Sequence, residues 1–320
     1  MKISKNITRA KFATHCASIE TMRAALRSGK LGGVILWRGA SYYDGTPVVA
    51  VATKFRDNSA NEKTGAMVQT FILPDPHAAG IECNGARPAK IVAWLKATGA
   101  KSICGDCPHA WQRDESTGEF QKGSCYVREY QAPAAVLGGV YRDSYPVAGL
   151  DFPAHWLGAI MAGYPVRAGS YGDPAAIPAA TWRNALARVL FSTGYTHFWK
   201  SKNARARANA AELKGLLMAS CDSPADLQRA GDSGWRGFLV SDPAAFDAAL
   251  ASAEKPRDLA RVGAFEPGAF LCPASKQFEQ ITQRRTNCAA CGACSGNGGK
   301  AKNKAHVVIP DHGPKKTRRA

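Results

Sequence analysis

The segment Val166–Pro174 reads VRAGSYGDP, a short apolar strand that stops at an Asp-Pro pair, and an alanine-rich helix follows it. Two later segments repeat this pattern: Gly215–Ser220 stops before Asp222-Ser223-Pro224, and Gly237–Val240 stops before Ser241-Asp242-Pro243. An Asp or Ser side chain can cap the free amides at the start of a helix, and proline fits the first helical position. Each of the three passages therefore predicts a strand followed by a helix.

Repeated strand-helix units require parallel strands joined by right-handed crossovers. The sequence therefore predicts an α/β fold, either a doubly wound sheet or parallel strand-helix repeats that form a complete or partial β/α barrel. Three apolar or β-branched runs before residue 75 predict an N-terminal β meander: Val34–Trp37, Val48–Thr53 and Met67–Leu73. We divide the chain into an N-terminal β-rich segment (1–100), an α/β core with a first cysteine cluster (101–265), a cysteine-rich metal-binding module (266–300) and a basic tail (301–320).

In such folds, ligands bind beyond the carboxyl ends of the parallel strands. The polar side chains predicted there form a catalytic set, Tyr171, His197 and Asp222, and a cofactor-binding set, Ser170 and Asp173. Helix capping alone is a sufficient reason for Asp173. His197 stands beside aromatic residues, so it can equally be a hydrogen-bonded packing residue.

A cysteine run near the end of the chain points to a metal. It reads Cys288-Ala-Ala-Cys291-Gly-Ala-Cys294, with Cys272 upstream. Two residues between successive cysteines let three thiolates face one cuboidal iron-sulfur cluster whose fourth ligand lies elsewhere in the chain. Cys272 is the candidate for that ligand, and a zinc site of the same four thiolates is the alternative. Buried core thiols are a poor explanation, since the run stands in a loop rich in Gly, Asn and Ser.

A second cysteine group consists of Cys104, Cys107 and Cys125. In an iron-sulfur cluster, three protein thiolates leave one iron open to a substrate or cofactor. His109 lies two residues past Cys107, so a zinc site of three cysteines and one histidine is the competing prediction.

The chain carries 42 Lys and Arg against 25 Asp and Glu, a formal charge of +17 with a pI near 9.6. Such an excess favours polyanionic partners, either nucleic acid or a phosphorylated small molecule. Much of the excess follows Arg284, and a second basic stretch runs from Lys200 to Arg207. A solvated tail explains the last of these charges equally well. Because the chain has neither an apolar signal core nor a run of about 18 apolar residues, we expect a cytoplasmic protein that does not enter a membrane.

Several blocks together resemble a family of uncharacterised proteins from tailed bacteriophages: CGDCPH at Cys104–His109 with SCYV at Ser124–Val127, RAGSYGDP at Arg167–Pro174, TGYTH at Thr193–His197, and CPAS at Cys272–Ser275 with the final cysteine run. The resemblance implies a phage origin and hence the host cytoplasm. More distantly, a cysteine cluster before a strand-helix array and another after it is similar to the layout of radical S-adenosylmethionine enzymes. The cluster motif of those enzymes is C-x3-C-x2-C, from which Cys104, Cys107 and Cys125 depart.

The second resemblance implies S-adenosylmethionine bound at the open iron of a cluster held by Cys104, Cys107 and Cys125. It places the substrate at the barrel mouth, near Tyr171, His197 and Asp222. Two functions follow from the sequence. The first is an iron-sulfur enzyme of radical type that acts on a nucleotide or nucleic acid, for example in base modification. The alternative is a zinc-stabilised nucleic-acid-binding protein without catalysis. A nuclease is disfavoured, because it needs several carboxylates around magnesium and capping already explains most of the aspartates.

Overall fold

The computed structural model describes residues 11–56, 62–81, 89–261, 263–265, 268–298 and 304–311. Its strands are β1 (Gly33–Ala40), β2 (Pro47–Thr53), β3 (Val68–Pro74), β4 (Trp111–Arg113), β5 (Phe120–Lys122), β6 (Pro165–Tyr171), β7 (Phe191–Thr196), β8 (Met218–Cys221), β9 (Gly237–Ser241), β10 (Ala269–Leu271) and β11 (His306–Pro310). Nine of them form one sheet in the order β1-β2-β3-β6-β7-β8-β9-β11-β10, and β4 and β5 form a separate hairpin.

The named helices of the described chain are α1 (Ile19–Ser28), α2 (Ala89–Thr98), α3 (Lys101–Cys104), α4 (Ala132–Tyr141), α5 (Leu157–Ile160), α6 (Ala179–Ala185), α7 (Ala204–Ala211), α8 (Pro224–Asp232), α9 (Pro243–Ser252), α10 (Lys276–Thr282) and α11 (Cys288–Cys291). In the described ranges, none of the helices combines the length and the apolar character that crossing a membrane requires.

The first three strands form the predicted meander. β1 pairs with β2 and β2 with β3, both antiparallel, so that Val51 of β2 lies opposite Ile35 of β1 and Phe71 of β3. β3 then pairs in parallel with β6, with Val68 opposite Val166. The N-terminal segment therefore extends the sheet of the α/β core.

From β6 onward the sheet is parallel, which confirms the predicted α/β class. The three predicted boundaries have the predicted cause: Asp173 accepts a hydrogen bond from the amide of Ala175, Ser223 from that of Asp226, and Asp242 from that of Ala244. The strands form a single row whose ends are β1 and β10. Closure of this row into a barrel is not observed in the described part of the chain.

The assignment of residues 301–320 to a basic tail is wrong for residues 306–310. These residues form β11, which lies between β9 and β10 with Val307, Val308 and Ile309 buried. The β-branched run pairs in parallel with a strand on each side. Its burial favours a strand even though the sequence around it is basic. The lysines and arginines from 315 to 319 lie outside the described residues.

Successive side chains of a strand point to opposite faces of a sheet. On one face of the strands β7 to β11 a separate apolar cluster forms, and its buried members include two cysteines: Met218, Phe238, Phe270, Cys272, Cys294, Val307 and Ile309. The cysteine-rich segment therefore covers this face of the sheet. The main hydrophobic core lies elsewhere and includes the fully buried Trp182 and Phe198.

Candidate functional site

The carboxyl ends of β6, β7 and β8 bring the predicted catalytic residues to one edge of the sheet. Tyr171 is the last residue of β6, while His197 and Asp222 directly follow β7 and β8. His197 Nε2 lies 3.1 Å from Asp222 Oδ1. β7 ends at Thr196, so His197 lies in the loop region that follows the strand.

Asp173 serves as a cap and a positioning residue. Its Oδ1 accepts hydrogen bonds from Thr196 Oγ1 (2.7 Å) and the Ala175 amide (2.9 Å), and its Oδ2 accepts one from the His197 amide (2.7 Å). Burial raises the pKa of this carboxyl, and these hydrogen bonds oppose the rise. The contacts of Asp173 are thus internal, and they do not support the predicted cofactor-binding role.

Ser170, the other predicted cofactor-binding residue, donates a hydrogen bond to Gln69 Oε1 of β3 (2.6 Å). Tyr171 is 4% exposed, and its hydroxyl has no hydrogen-bond partner among the described residues. Burial raises the pKa of Tyr171 well above its usual value, and the nearby Cys104 thiol adds to the rise. The phenol therefore lies near the first cysteine group.

The structure gathers Cys104, Cys107 and Cys125, which we call the three-thiol group. Each pair within the group interacts electrostatically. Burial raises the pKa of the Cys104 thiol well above its usual value and that of Cys125 to about 11. Backbone bonds hold the group together, since the amide of Cys107 donates to the Cys104 carbonyl and the amide of Cys125 to the His109 carbonyl.

His109 links the three-thiol group to the strand ends. Its Nδ1 lies 2.6 Å from Ser124 Oγ, and its Nε2 lies 2.8 Å from Asp222 Oδ1. Within the same region, the Cys107 Sγ atom of the three-thiol group lies 3.9 Å from His197 Nε2. The structure therefore places His109 with His197 and Asp222, a grouping that no local sequence signal indicates.

The charges at this edge compensate one another. Burial favours a lower pKa for His197, but Cys107 and Asp222 outweigh burial and raise it to about 10. Burial favours a higher pKa for Asp222, but hydrogen bonds from His109 and His197 hold it well below its usual range. Lys200 donates to Asp222 Oδ2 (2.6 Å) and to Asp226 Oδ2 (2.5 Å). Lys200, the first residue of the basic stretch that ends at Arg207, is thus part of this ion-pair network.

The second cysteine group, which we call the four-thiol group, consists of Cys272, Cys288, Cys291 and Cys294. All six pairs among these thiols interact electrostatically. The Cys272 amide donates to the Val308 carbonyl of β11 (2.7 Å), and the Cys288 amide donates to the Lys63 carbonyl (2.9 Å). The four residues predicted as one set of ligands are therefore brought together by β11 and by the loop that precedes β3.

Three buried or half-buried cations surround the four-thiol group: Lys63, Arg167 and Arg236. Lys63 interacts with Cys272, Cys288 and Cys294, Arg167 with Cys288 and Cys294, and Arg236 with Cys294. Tyr195 packs against the same apolar cluster as Cys294. Burial raises the pKa of Cys272 to about 12, and Lys63 opposes the rise. Sequence reasoning missed these residues, because they come from parts of the chain far from the cysteine run.

The basic stretch after β7 is partly engaged within the protein. The Arg205 guanidinium lies 4.6 Å from the centre of the Tyr42 ring, and Arg207 donates to the Ser201 carbonyl. Farther along the chain, Arg285 forms an ion pair with Glu62 at the surface.

Comparison with known proteins gives no match, whether with protein-family models, with curated proteins or with solved structures.

Proposed function

We propose that the protein is an iron-sulfur enzyme of the radical S-adenosylmethionine type, of phage origin, that acts on a nucleotide or a nucleic acid. The observation that carries the proposal is the three-thiol group, which lies beside His197 at the carboxyl ends of parallel strands. A partial β/α barrel, with β6 to β11 as its wall, belongs to the same proposal.

The four-thiol group suits an iron-sulfur cluster. Its four sulfurs match the four thiolates that a cubane cluster takes, and such a thiolate-bound cluster is anionic. The cations at Lys63, Arg167 and Arg236 would offset that charge. Hydrogen bonds to sulfur and nearby charge are the factors by which a protein adjusts the potential of a cluster.

The three-thiol group suits a cluster with one iron free of protein ligands. When bound, such a cluster supplies an electron and an open coordination position for S-adenosylmethionine. The chain's own residues would shape the space around it. The Tyr171 hydroxyl, which has no hydrogen-bond partner among the described residues, lies near Cys104, and His197 is held in place by Asp173 and Asp222.

A polyanionic substrate is supported by the formal charge of +17. Tyr126 adds an aromatic surface next to Cys125, because its ring is 60% exposed while its hydroxyl accepts a hydrogen bond from Arg167 (2.9 Å). An exposed aromatic ring can stack on a nucleobase. These features favour a nucleotide or an unpaired base as substrate.

The second candidate is a zinc-stabilised nucleic-acid-binding protein. It is favoured by the position of His109, two residues past Cys107 and next to His197, because histidine and cysteine are the usual ligands of structural zinc. On this alternative, the strand-end carboxylates serve only as caps and counter-ions.

Anaerobic purification followed by iron, sulfide and zinc analysis tests the proposal. We expect about eight irons in the intact protein and about four in each of Cys104→Ser and Cys288→Ser. Cys16→Ser is the matched control, because the buried Cys16 belongs to neither group, so the substitution should leave the iron content unchanged. Stoichiometric zinc without visible absorption would instead establish the second candidate.

A further inference from the structure

We propose that His109, His197 and Asp222 form a mononuclear site for a divalent transition metal, separate from both thiol groups. Their ligand atoms, His109 Nε2, His197 Nε2 and Asp222 Oδ1, all lie within 4.8 Å of one another. The inference goes beyond the proposed function, because none of the three residues is a cysteine.

The distances suit a bound ion. Ligand atoms at about 2.0–2.2 Å from a metal lie about 3.0–3.5 Å from one another at neighbouring coordination positions. His109 Nε2 lies 2.8 Å and His197 Nε2 3.1 Å from the same carboxylate oxygen. Small outward shifts of these side chains would admit an ion. The side chains are 16–21% exposed, so an ion can reach them from solvent.

Each ligand is oriented by a second contact, as is usual for metal-binding side chains. Ser124 Oγ lies 2.6 Å from His109 Nδ1 and so directs Nε2 of that ring towards Asp222. Asp173 fixes the backbone of His197. Lys200 holds Asp222 Oδ2, which leaves Oδ1 as the single oxygen for the metal.

The donor set indicates the class of ion. Two imidazoles and one carboxylate oxygen on one side of a metal leave positions open, an arrangement typical of non-haem Fe²⁺ and accessible to other divalent first-row metals. Cys107 Sγ, 3.9 Å from His197 Nε2, would be a neighbour of the ion. Mg²⁺ and Ca²⁺ are disfavoured, because both prefer oxygen ligands throughout.

The competing explanation is a hydrogen-bonded network in which Asp222 is only the counter-ion of His197 and Lys200. Co²⁺ distinguishes the two explanations, because its visible absorption reports the coordinating ligands. We expect the full-length protein, isolated anaerobically with its thiol groups loaded, to bind one further Co²⁺ per chain, beyond any metal at those groups. Affinity should fall by more than about 100-fold in His109→Ala and by about 10- to 100-fold in Ser124→Ala, in which only the second contact is lost.

His77→Ala is the matched control, because His77 stacks on Tyr141 apart from this site and should leave Co²⁺ binding unchanged. Thermal unfolding without added metal identifies a misfolded variant. If His109→Ala misfolds, Ser124→Ala distinguishes the two explanations, because it removes no metal ligand. Absence of Co²⁺ binding by the intact protein, or unchanged binding in both Ser124→Ala and His109→Ala, would overturn the proposal. Iron and sulfide analysis of the same samples shows separately whether the thiol groups are loaded.

Discussion

Arg236 is the residue that ties the cysteine-rich segment to the sheet. The residue is 2% exposed, and its guanidinium donates five hydrogen bonds to the carbonyls of Ala293, Ser295, Lys304 and Ala305. Two of these carbonyls flank Cys294, and the other two precede β11. Arg236→Met would keep most of the side-chain volume and remove all five donors.

The expected cost follows from these bonds. A hydrogen bond to a charged group contributes about 1.5–3 kcal/mol, and a buried carbonyl left without a donor costs about 1–3 kcal/mol. The methionine variant no longer buries the guanidinium charge, and this gain offsets several kcal/mol of the free energy lost with the hydrogen bonds. We therefore expect Arg236→Met to lower the free energy of unfolding by about 3–5 kcal/mol.

Urea unfolding followed by tryptophan fluorescence measures this loss under anaerobic conditions. Arg183→Met is the matched control, because Arg183 pairs with Glu212 at the surface and its loss should cost less than about 1 kcal/mol. A loss below about 1 kcal/mol for Arg236→Met, with an unchanged denaturant slope, would refute the reasoning that this arginine holds the segment in place.

Three further predictions concern other parts of the fold. His306 Nδ1 accepts a hydrogen bond from the Gly237 amide, and burial together with Arg236 lowers the pKa of His306 below 6.5. As the pH falls through 6.5, the His306 imidazole takes up a proton in the unfolded chain before it does so in the folded chain, so stability present above pH 6.5 is lost below it. Urea midpoints measured from pH 7.5 to 5.5 should therefore fall less steeply in His306→Gln than in the unsubstituted protein. Gly172 has a φ of +75°, and an added Cβ would lie 2.7 Å from the Ile72 carbonyl oxygen, so Gly172→Ala should cost at least about 2 kcal/mol in the same assay. Gly45→Ala, with open space at a φ of +80°, should cost only about 1 kcal/mol. Trp182→Phe removes a buried hydrogen bond of 2.7 Å to the Pro174 carbonyl, and a thermal melt should show a loss equivalent to about 1–3 kcal/mol.

The parts of the fold with local causes were predictable from the sequence. The boundaries at Asp173, Ser223 and Asp242 depend on a capping side chain and an adjacent proline, so a few neighbouring residues contain the whole signal. The meander was predictable for the same reason, because the apolar and β-branched runs of β1 to β3 are properties of each strand.

The parts that depend on distant pairing were not predictable. Nothing within residues 306–310 indicates that they lie between β9 and β10, because parallel register is set by partners far along the chain. Lys63, Arg167 and Arg236 reach the four-thiol group only after the sheet has formed. His109 was noticed for its place beside Cys107, but its contact with Asp222 joins residues more than a hundred positions apart.

Reductive cleavage of S-adenosylmethionine by the anaerobic protein, with its iron content measured beforehand, tests the proposed function most directly. We predict that the intact protein and Cys16→Ser cleave S-adenosylmethionine when a strong reductant is supplied, whereas Cys104→Ser does not. A protein that carries iron at the three-thiol group and leaves S-adenosylmethionine intact under these conditions would contradict the proposal that this group is the catalytic centre.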